Sequence, residues 1–418
     1  MPSDTTKASP KNLPLIPLSI ATESPESPDA GAALQLGPSG RVIIEIAGVC
    51  QATCPYCAQN SGKSRRKEKP ATYMSVDLFR TAISRLRKSD AFNKGQLDRV
   101  YLYNWGEPFL APAINEYLEV LKEHGLFAVI SSNFQKVPPL RKENLPVINE
   151  VLFSLSGMSD ETYGRIHGGS ISQVQANFEV FNAELKRYSP QSKVFMSWHR
   201  YTFNEHEFWD AFKYSRRHGI GFIPSVAFLN DLVELIQAAG DRLPADRKEA
   251  AQRDIFLDHM VESIGSYREG GPSYDCPAWD DVVIDERGRL LICCGTDYQS
   301  AVGHAVETSY DEMRANKKNS SLCKACKEKG VAEWGHNNFH DHNQLPWPAG
   351  GGLDFARLKL TYNRLRIKSD IRHALNSSGL GEALLRVYRK LKRSSAISPS
   401  GERLTTTVGQ AFGPDERG

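Results

Sequence analysis

Three cysteines stand within eight residues of one another, in Cys50-Gln-Ala-Thr-Cys54-Pro-Tyr-Cys57. Three thiolates on one short loop can grip three irons of a cubane 4Fe–4S cluster and leave the fourth iron to a ligand that is not protein. A closed structural cluster or a structural zinc site takes four protein ligands, so the competing reading is a zinc loop that borrows a distant fourth. After a long stretch without cysteine comes a second group: Cys276, the adjacent Cys293 and Cys294, and Cys323-Lys-Ala-Cys326. Four of these thiolates suffice to close either a cluster or a tetrahedral zinc site. In a reducing compartment such clustered cysteines read as metal ligands rather than disulfides.

The elements around them have a clear order. Val42-Ile43-Ile44-Glu45-Ile46-Ala47 is a β-branched run that reads as a strand buried on both faces, and it leads straight into Cys50. Strand-like runs at 99–103, 126–131, 151–155, 193–201 and 221–228 alternate with helical spacing at 74–86, 114–124, 173–188 and 205–218. That alternation is the pattern of parallel βα units. The predicted fold is α/β: a partial (β/α)6 TIM-like barrel over 40–265, with a small C-terminal hairpin and helix domain at 266–335. Chemistry in such folds sits at the C-terminal strand ends, which here carry Cys50, Gly106-Glu107-Pro108, Ser132-Asn133 and Ser154-Leu155-Ser156. Helical, charged sequence at 231–267 bridges to Val282-Val283-Ile284-Asp285, a Glu286-Arg287-Gly288 turn and Leu290-Leu291-Ile292-Cys293, which read as a β-hairpin.

Composition bounds the rest. The 418 residues carry 52 Lys+Arg against 49 Asp+Glu, a net charge of +3, which excludes a wholly basic nucleic-acid wrapper and an acidic disordered chain. No apolar run approaches the roughly 20 residues that span a bilayer. The early run at 13–20 is broken by Pro14 and Pro17 and makes a poor signal peptide, so a cytoplasmic protein is expected. Residues 1–39, rich in Pro, Ser, Thr and Ala, are expected to be disordered, as is the tail at 397–418. Residues 353–396 hold 11 Lys+Arg against 3 Asp+Glu, with Ile371, Leu375, Leu380, Leu384, Leu385, Tyr388 and Leu391 at near-helical spacing. Such a basic amphipathic helix either lies peripherally on an anionic membrane or meets a phosphorylated carrier, or packs on the barrel with a solvated charged face. No nucleic-acid-binding module is present and no nucleic-acid partner is expected. His336, His340 and His342 fall among Gly, Asn and Pro and read as a solvated loop. His199, Arg200 and Tyr201 end a strand and either face the cavity or sit at the barrel mouth.

The three-then-two spacing of Cys50, Cys54 and Cys57, with Tyr56 before the last, resembles the radical S-adenosylmethionine superfamily. The resemblance implies that the open iron chelates the amino and carboxylate groups of S-adenosylmethionine. One electron then splits a C–S bond to give methionine and a 5′-deoxyadenosyl radical that takes hydrogen from the substrate. Asn104-Trp105-Gly106-Glu107-Pro108-Phe109-Leu110 resembles the family's Gly-Glu-Pro strand end at the methionine amino group, with Trp105 in place of a first glycine. Ser131-Ser132-Asn133-Phe134 resembles the segment near the adenosyl group. Leu155-Ser156-Gly157, followed by 163–169, resembles the fourth-strand region. The likeness covers roughly 40–230 and implies cofactor contacts from Tyr56, Gly106, Glu107, Pro108, Ser132, Asn133, Ser154 and Ser156. It also implies a reductant such as flavodoxin or ferredoxin.

Cys276, the hairpin ending in Cys293 and the Cys323/Cys326 pair resemble the SPASM and Twitch extensions, in the shorter form with one auxiliary 4Fe–4S cluster. Zinc remains the alternative at this site. Cys294 is left over, with three readings open: a ligand replacing Cys293, a packed small side chain, or a catalytic hydrogen donor to a substrate radical. Two substrate classes follow. The first is a carbohydrate-like small molecule, phosphorylated or lipid-linked if the basic helix serves it, undergoing dehydrogenation, epimerisation or deoxygenation. The second is a peptide or protein side chain, though the N-terminal segment is too short and Pro-rich for a peptide-recognition domain. The third reading, a non-catalytic iron–sulfur carrier, has no use for an S-adenosylmethionine pocket.

Overall fold

A computed structural model describes residues 40–59, 72–88, 97–296 and 300–340. The chain divides into compact units at 1–345 and 346–418, and the described residues belong to the first. The expectations for 1–39, for the basic helix at 353–396, for the tail at 397–418 and for His342 lie outside the described residues.

Six parallel strands follow one another in sequence and in space. They are β1 (Val42–Ile44), β2 (Arg99–Tyr101), β3 (Phe127–Ser132), β4 (Ile148–Ser154), β5 (Lys193–Arg200) and β6 (Gly221–Val226). Between them run α1 (Val76–Arg87), α2 (Ile114–Glu123), α3 (Asp160–His167), α4 (Ile171–Tyr188) and α5 (Phe208–Arg217). Local chemistry sets the helix ends. Ser75 Oγ accepts the Leu78 N–H at 3.2 Å to start α1, with Asp77 in its first turn and Arg85 and Arg87 in its last. Ser159 caps α3, which stops at Gly168 with φ +74°.

The strands have two unlike faces. Val100, Leu102, Ile130, Val151, Phe153, Met196 and Trp198 are fully buried at 0% exposure under the helices. Alternate positions Tyr101, Ser131, Glu150, Ser154, Ser197, His199 and Ser225 are only half-buried. Side chains alternate across a strand, so these second residues share the inner face of the curved sheet. The register puts Ile43, Val129, Leu152, Phe195 and Ile223 on the same face, so it mixes hydroxyl and apolar side chains.

Beyond β6 come α6 (Leu232–Ala239), α7 (Ala245–Asp254) and α8 (Leu257–Gly265), then the strands β7 (Val282–Ile284), β8 (Arg289–Leu291) and β9 (Ala301–His304). The helices α9 (Tyr310–Asn319), α10 (Ser321–Glu328) and α11 (Val331–His340) follow. The hairpin forms where the sequence places it, with Gly288 at φ +82° and the buried Asp285 carboxylate accepting the N–H groups of Arg287 and Arg289. It joins the barrel sheet. β7 pairs in parallel with β1, in the register Val42↔Val282, Ile43↔Val283 and Ile44↔Ile284, giving the order β6-β5-β4-β3-β2-β1-β7-β8-β9. An open barrel leaves the edge of β1 unpaired, and β7 satisfies its backbone groups.

One local expectation is corrected: His336 and His340 lie on α11, a helix that packs Val331 and Trp334 into the core, and not on a solvated loop. Apolar spacing at Val331 and Trp334 won over the polar composition around it. Among the described residues no helix is long and apolar enough to cross a membrane.

Candidate functional site

The first thiol group hangs on the loop leaving β1 and is tied down from two sides. The Asn133 amide nitrogen lies 3.6 Å from Cys50 Sγ, while its oxygen accepts from the Gln51 amide at 3.0 Å and the Gln135 N–H at 2.9 Å. His167 Nδ1 lies 3.2 Å from Cys54 Sγ, and the His167 carbonyl accepts the Thr53 N–H at 2.9 Å. All three cysteines are half-buried free thiols. Burial, with Glu107 and Cys57 nearby, pushes the Cys50 thiol up to about 12. A bound metal centre reverses that penalty, because coordination deprotonates a thiol outright. Buried His167 is held neutral, pushed down to about 3 by burial and then by His199. Its Nε2 is buried without a partner.

The segment after β2 backs this loop. The Gly106 and Trp105 N–H groups both donate to Glu45 Oε1, at 2.7 and 2.9 Å, and the Glu107 N–H donates to the Val49 carbonyl at 2.8 Å. A Cβ on Gly106 would fall 1.7 Å from the Ala47 carbonyl oxygen, so only glycine permits this approach. Glu107 is 3% exposed. Its oxygens accept the Phe109 N–H at 3.1 Å and the Asn133 N–H at 2.9 Å. Burial outweighs these bonds and pushes its carboxyl up to about 7. Pro108 opens a short 3-10 turn behind it. Phe134, at φ +54°, turns the chain after β3 so that Asn133 reaches both Glu107 and Cys50. Its ring is wedged among Phe109, Phe153, Phe178 and Phe181 at centroid distances of 5.1–5.5 Å, which holds the turn.

The remaining strand ends complete one rim. Ser132 Oγ accepts the Phe134 N–H at 3.0 Å. Ser154 pairs in register with Ser197 on the inner face. Buried Ser156 accepts the His199 N–H at 3.1 Å, and Asn204 donates to the Ser156 and His199 carbonyls at 2.6 and 2.9 Å. His199 is likewise kept neutral, pushed down to about 4 by burial. Tyr56 is placed differently from these. Its hydroxyl donates to the Ala250 carbonyl at 2.9 Å and to Asp254 at 3.0 Å, and the Arg247 guanidinium lies 4.7 Å from its ring centre. The Tyr56 side chain therefore packs into the helices after β6, while its carbonyl accepts the Asn230 N–H at 3.1 Å.

The second group gathers from three segments. Cys276 precedes the turn Pro277–Trp279, Cys293 follows β8, and Cys323 and Cys326 lie three apart on one face of α10. Cys326 feels the charges of Cys276 and Cys323, and Cys293 those of Cys326 and Cys276. Burial pushes all four thiols up, Cys276 to about 11. Four thiols with no disulfide match in number the ligands that either group expected there would need. Among the described residues, no three His, Cys, Asp or Glu side chains converge at the spacing of a single metal ion.

Cys293 and Cys294 part company. Cys293 packs with the helical core containing Cys326, whereas Cys294 lies against Ile43, Val283, Leu291 and Tyr101 on the inner side of the sheet. The Arg41 guanidinium bonds the Cys294 thiol and counters the burial that pushes it up. The two thiol groups are also bridged. The Trp105 ring N–H donates to the Thr296 carbonyl at 3.1 Å, and the Asn104 amide, turned with its nitrogen inward, donates to the Cys294 carbonyl at 3.1 Å. Sequence reading gave no role of their own to Glu45, His167 and Arg41. A single carboxylate inside the apolar β1 run was the one available signal, for Glu45.

No family model and no curated protein matches this chain. Solved structures with a similar course include Streptococcus suis SuiB bound to its precursor peptide SuiA, at 15% identity and a TM-score of 0.44, matching 67% of this chain and 64% of that one. This chain thus spans less than two thirds of SuiB. BtrN in complex with AdoMet and 2-DOIA matches at 13% identity and a TM-score of 0.37, over 72% of this chain and 89% of that one. Native anSMEcpe with bound AdoMet matches at 14% identity and a TM-score of 0.43, over 78% of this chain and 99% of that one.

Proposed function

We propose that this chain is a radical S-adenosylmethionine enzyme acting on a carbohydrate-like small molecule. The observation that carries the reading is the junction of Cys50, Cys54 and Cys57 with the buried Glu107 carboxyl at the mouth of a parallel sheet, joined through Asn133. A 4Fe–4S cluster on the three thiolates would supply the electron that cleaves S-adenosylmethionine to the 5′-deoxyadenosyl radical. The chain's own residues bind and orient. Glu107, with Gly106 and Pro108, offers a carboxylate to the methionine ammonium. Ser132, Asn133, Ser154 and Ser156 line the adenosyl side, with the Tyr56 carbonyl close to the cysteine loop. Cys276, Cys293, Cys323 and Cys326 hold a second, auxiliary cubane, and a flavodoxin- or ferredoxin-type protein delivers the electrons.

The inner face supports the substrate class. Tyr101, Ser131, Ser154, Ser197 and Ser225 carry hydroxyls and Glu150 a carboxyl on the half-buried inner face, beside Leu152, Phe195 and Ile223, and these polar groups would hydrogen-bond a polyhydroxylated molecule. Cys294, packed against that side and beside Arg41, would give a hydrogen atom to the substrate radical in an epimerisation, and its thiyl radical would be restored by one electron from the flavodoxin- or ferredoxin-type reductant and a proton.

Iron and sulfide are to be counted after anaerobic reconstitution, for the native chain and for the variant with Cys50, Cys54 and Cys57 changed to Ala. The expected result is about eight irons falling to about four, with 5′-deoxyadenosine formed under dithionite only by the native chain. Reduced native protein that never cleaves S-adenosylmethionine would overturn the reading in favour of an iron–sulfur carrier. Product formation on a peptide and on no sugar would move the substrate to the peptide class.

A further inference from the structure

Resting on the reading of the second thiol group as a four-thiolate centre, we infer that Lys317 is the charge-compensating residue of that centre and sets how readily it accepts an electron. The α9 lysine is wholly buried, at 0% exposure. Its ammonium donates to the Ala278 carbonyl at 3.1 Å and to the Asp281 carbonyl at 2.5 Å. Ala278 lies in the short turn that follows Cys276, and Asp281 lies between that turn and β7. A lysine ammonium has three N–H donors, and these carbonyls use two of them.

An ammonium taken out of water costs several kcal/mol unless a negative charge answers it. The nearby carboxylate is committed elsewhere. Asp281 Oδ1 accepts the Arg41 backbone N–H at 2.9 Å, and Oδ2 pairs with the Arg41 guanidinium at 2.7 Å. Among the described residues no carboxylate forms an ion pair with Lys317. Burial disfavours the Lys317 ammonium, and the negative neighbours that answer it are Asp281 first and then Cys293, Cys323 and Cys276. Four thiolates around either a cubane or a zinc ion make a dianion, which adds to the charge of the Asp281 carboxylate that Arg41 already pairs. One-electron reduction of the cubane adds a further negative charge, so a fixed cation beside it favours the reduced state. A second layer acts in the same sense. Lys318 and Lys327 each stand 4.9 Å from the Trp279 ring centre, and that ring bonds the Cys323 thiol.

The test isolates this centre by changing Cys50, Cys54 and Cys57 to Ala in the full chain, then compares Lys317 with Lys317→Met by iron content and by a dithionite-poised redox titration read by EPR. The expected result is about four irons in both, with the reduction equilibrium of Lys317→Met weakened at least tenfold, about 59 mV lower for a one-electron couple. An unchanged midpoint with iron retained overturns the proposal. If Lys317→Met loses the iron, Lys317→Arg decides: iron regained supports the charge role, and iron absent from both overturns it in favour of packing. Zinc in place of iron in the native chain would end the auxiliary-cluster reading, yet leave Lys317 testable. Faster zinc loss to a chelator from Lys317→Met than from the native chain and Lys317→Arg then supports the compensating role, and equal rates overturn it.

Discussion

The first thiol group sits on one loop of eight residues, with Asn133, His167 and Glu107 beside its thiols and the Arg247 guanidinium bonding the Pro55 carbonyl of the loop at 3.1 Å. The second collects its cysteines from three segments around a buried ammonium, Lys317, with two further lysines behind Trp279. Burial raises Cys50 at the first and all four thiols at the second, so burial does not distinguish them. What differs is the number of thiols and the group nearest them, the Glu107 carboxyl at the first and the buried Lys317 ammonium at the second. Three thiolates beside a carboxyl suit a centre that takes an external ligand bearing a positive amino group. Four thiolates around a cation suit a centre that is complete and negatively charged. One sheet carries both, because β7 continues the barrel at the edge of β1.

The contrast breaks most sharply at the adjacent cysteines. Cys293→Ala is expected to cost about half the iron of a two-cubane protein, while Cys294→Ala leaves the iron count untouched. Iron lost from both, or from Cys294→Ala alone, would reverse the assignment. Next in size is Gly106→Ala, whose Cβ would strike the Ala47 carbonyl. A loss of about 3 kcal/mol in a thermal or denaturant melt is expected, together with loss of S-adenosylmethionine binding.

Glu107 gives a pH signature to the first site only. Its folded carboxyl is raised to about 7 from an ordinary 4.5. Folding therefore carries a cost that is absent below the ordinary carboxylate range, grows as pH rises through it, and is complete above about pH 7. Glu107→Gln should flatten that fall in stability with rising pH. An ammonium-bearing ligand favours the ionised form, so S-adenosylmethionine should release a proton on binding near pH ~6.5, just below the raised carboxyl. Calorimetry in two buffers of different ionisation enthalpy checks this, and proton uptake would contradict the placement of the amino group at Glu107.

Trp105→Phe removes the ring N–H that bonds the Thr296 carbonyl and, at 3.2 Å, the Asn104 amide oxygen, for about 1 kcal/mol in the melt. Arg80→Ala, at the exposed pair with Glu123, should change stability by less than about 1 kcal/mol and serves as the baseline.

Much of this was legible in the chain. Short apolar and β-branched runs alternating with helical spacing gave the parallel strands and most of their helices, because a strand covered by helices reads as a continuous apolar run. The hairpin was marked by Gly288 between two apolar runs. The cysteines declared themselves by spacing alone, and Gly106-Glu107 by its place at a strand end. His336 was misread, since the helical pattern of Val331 and Trp334 is too short to stand out against its polar neighbours.

The sequence by itself determined the two cysteine groups, three close-spaced thiols and a later five, since their number and spacing are covalent facts. Tertiary structure alone decided the rest. It brought Asn133 and His167 to the thiols across 83 and 113 residues and turned Cys294 away from Cys293 onto the inner face. It also buried Lys317 beside the second group. The physical reason is that charge, burial and hydrogen bonding act through space, and residues far apart in sequence become partners only once β1 pairs with β2 on one side and β7 on the other.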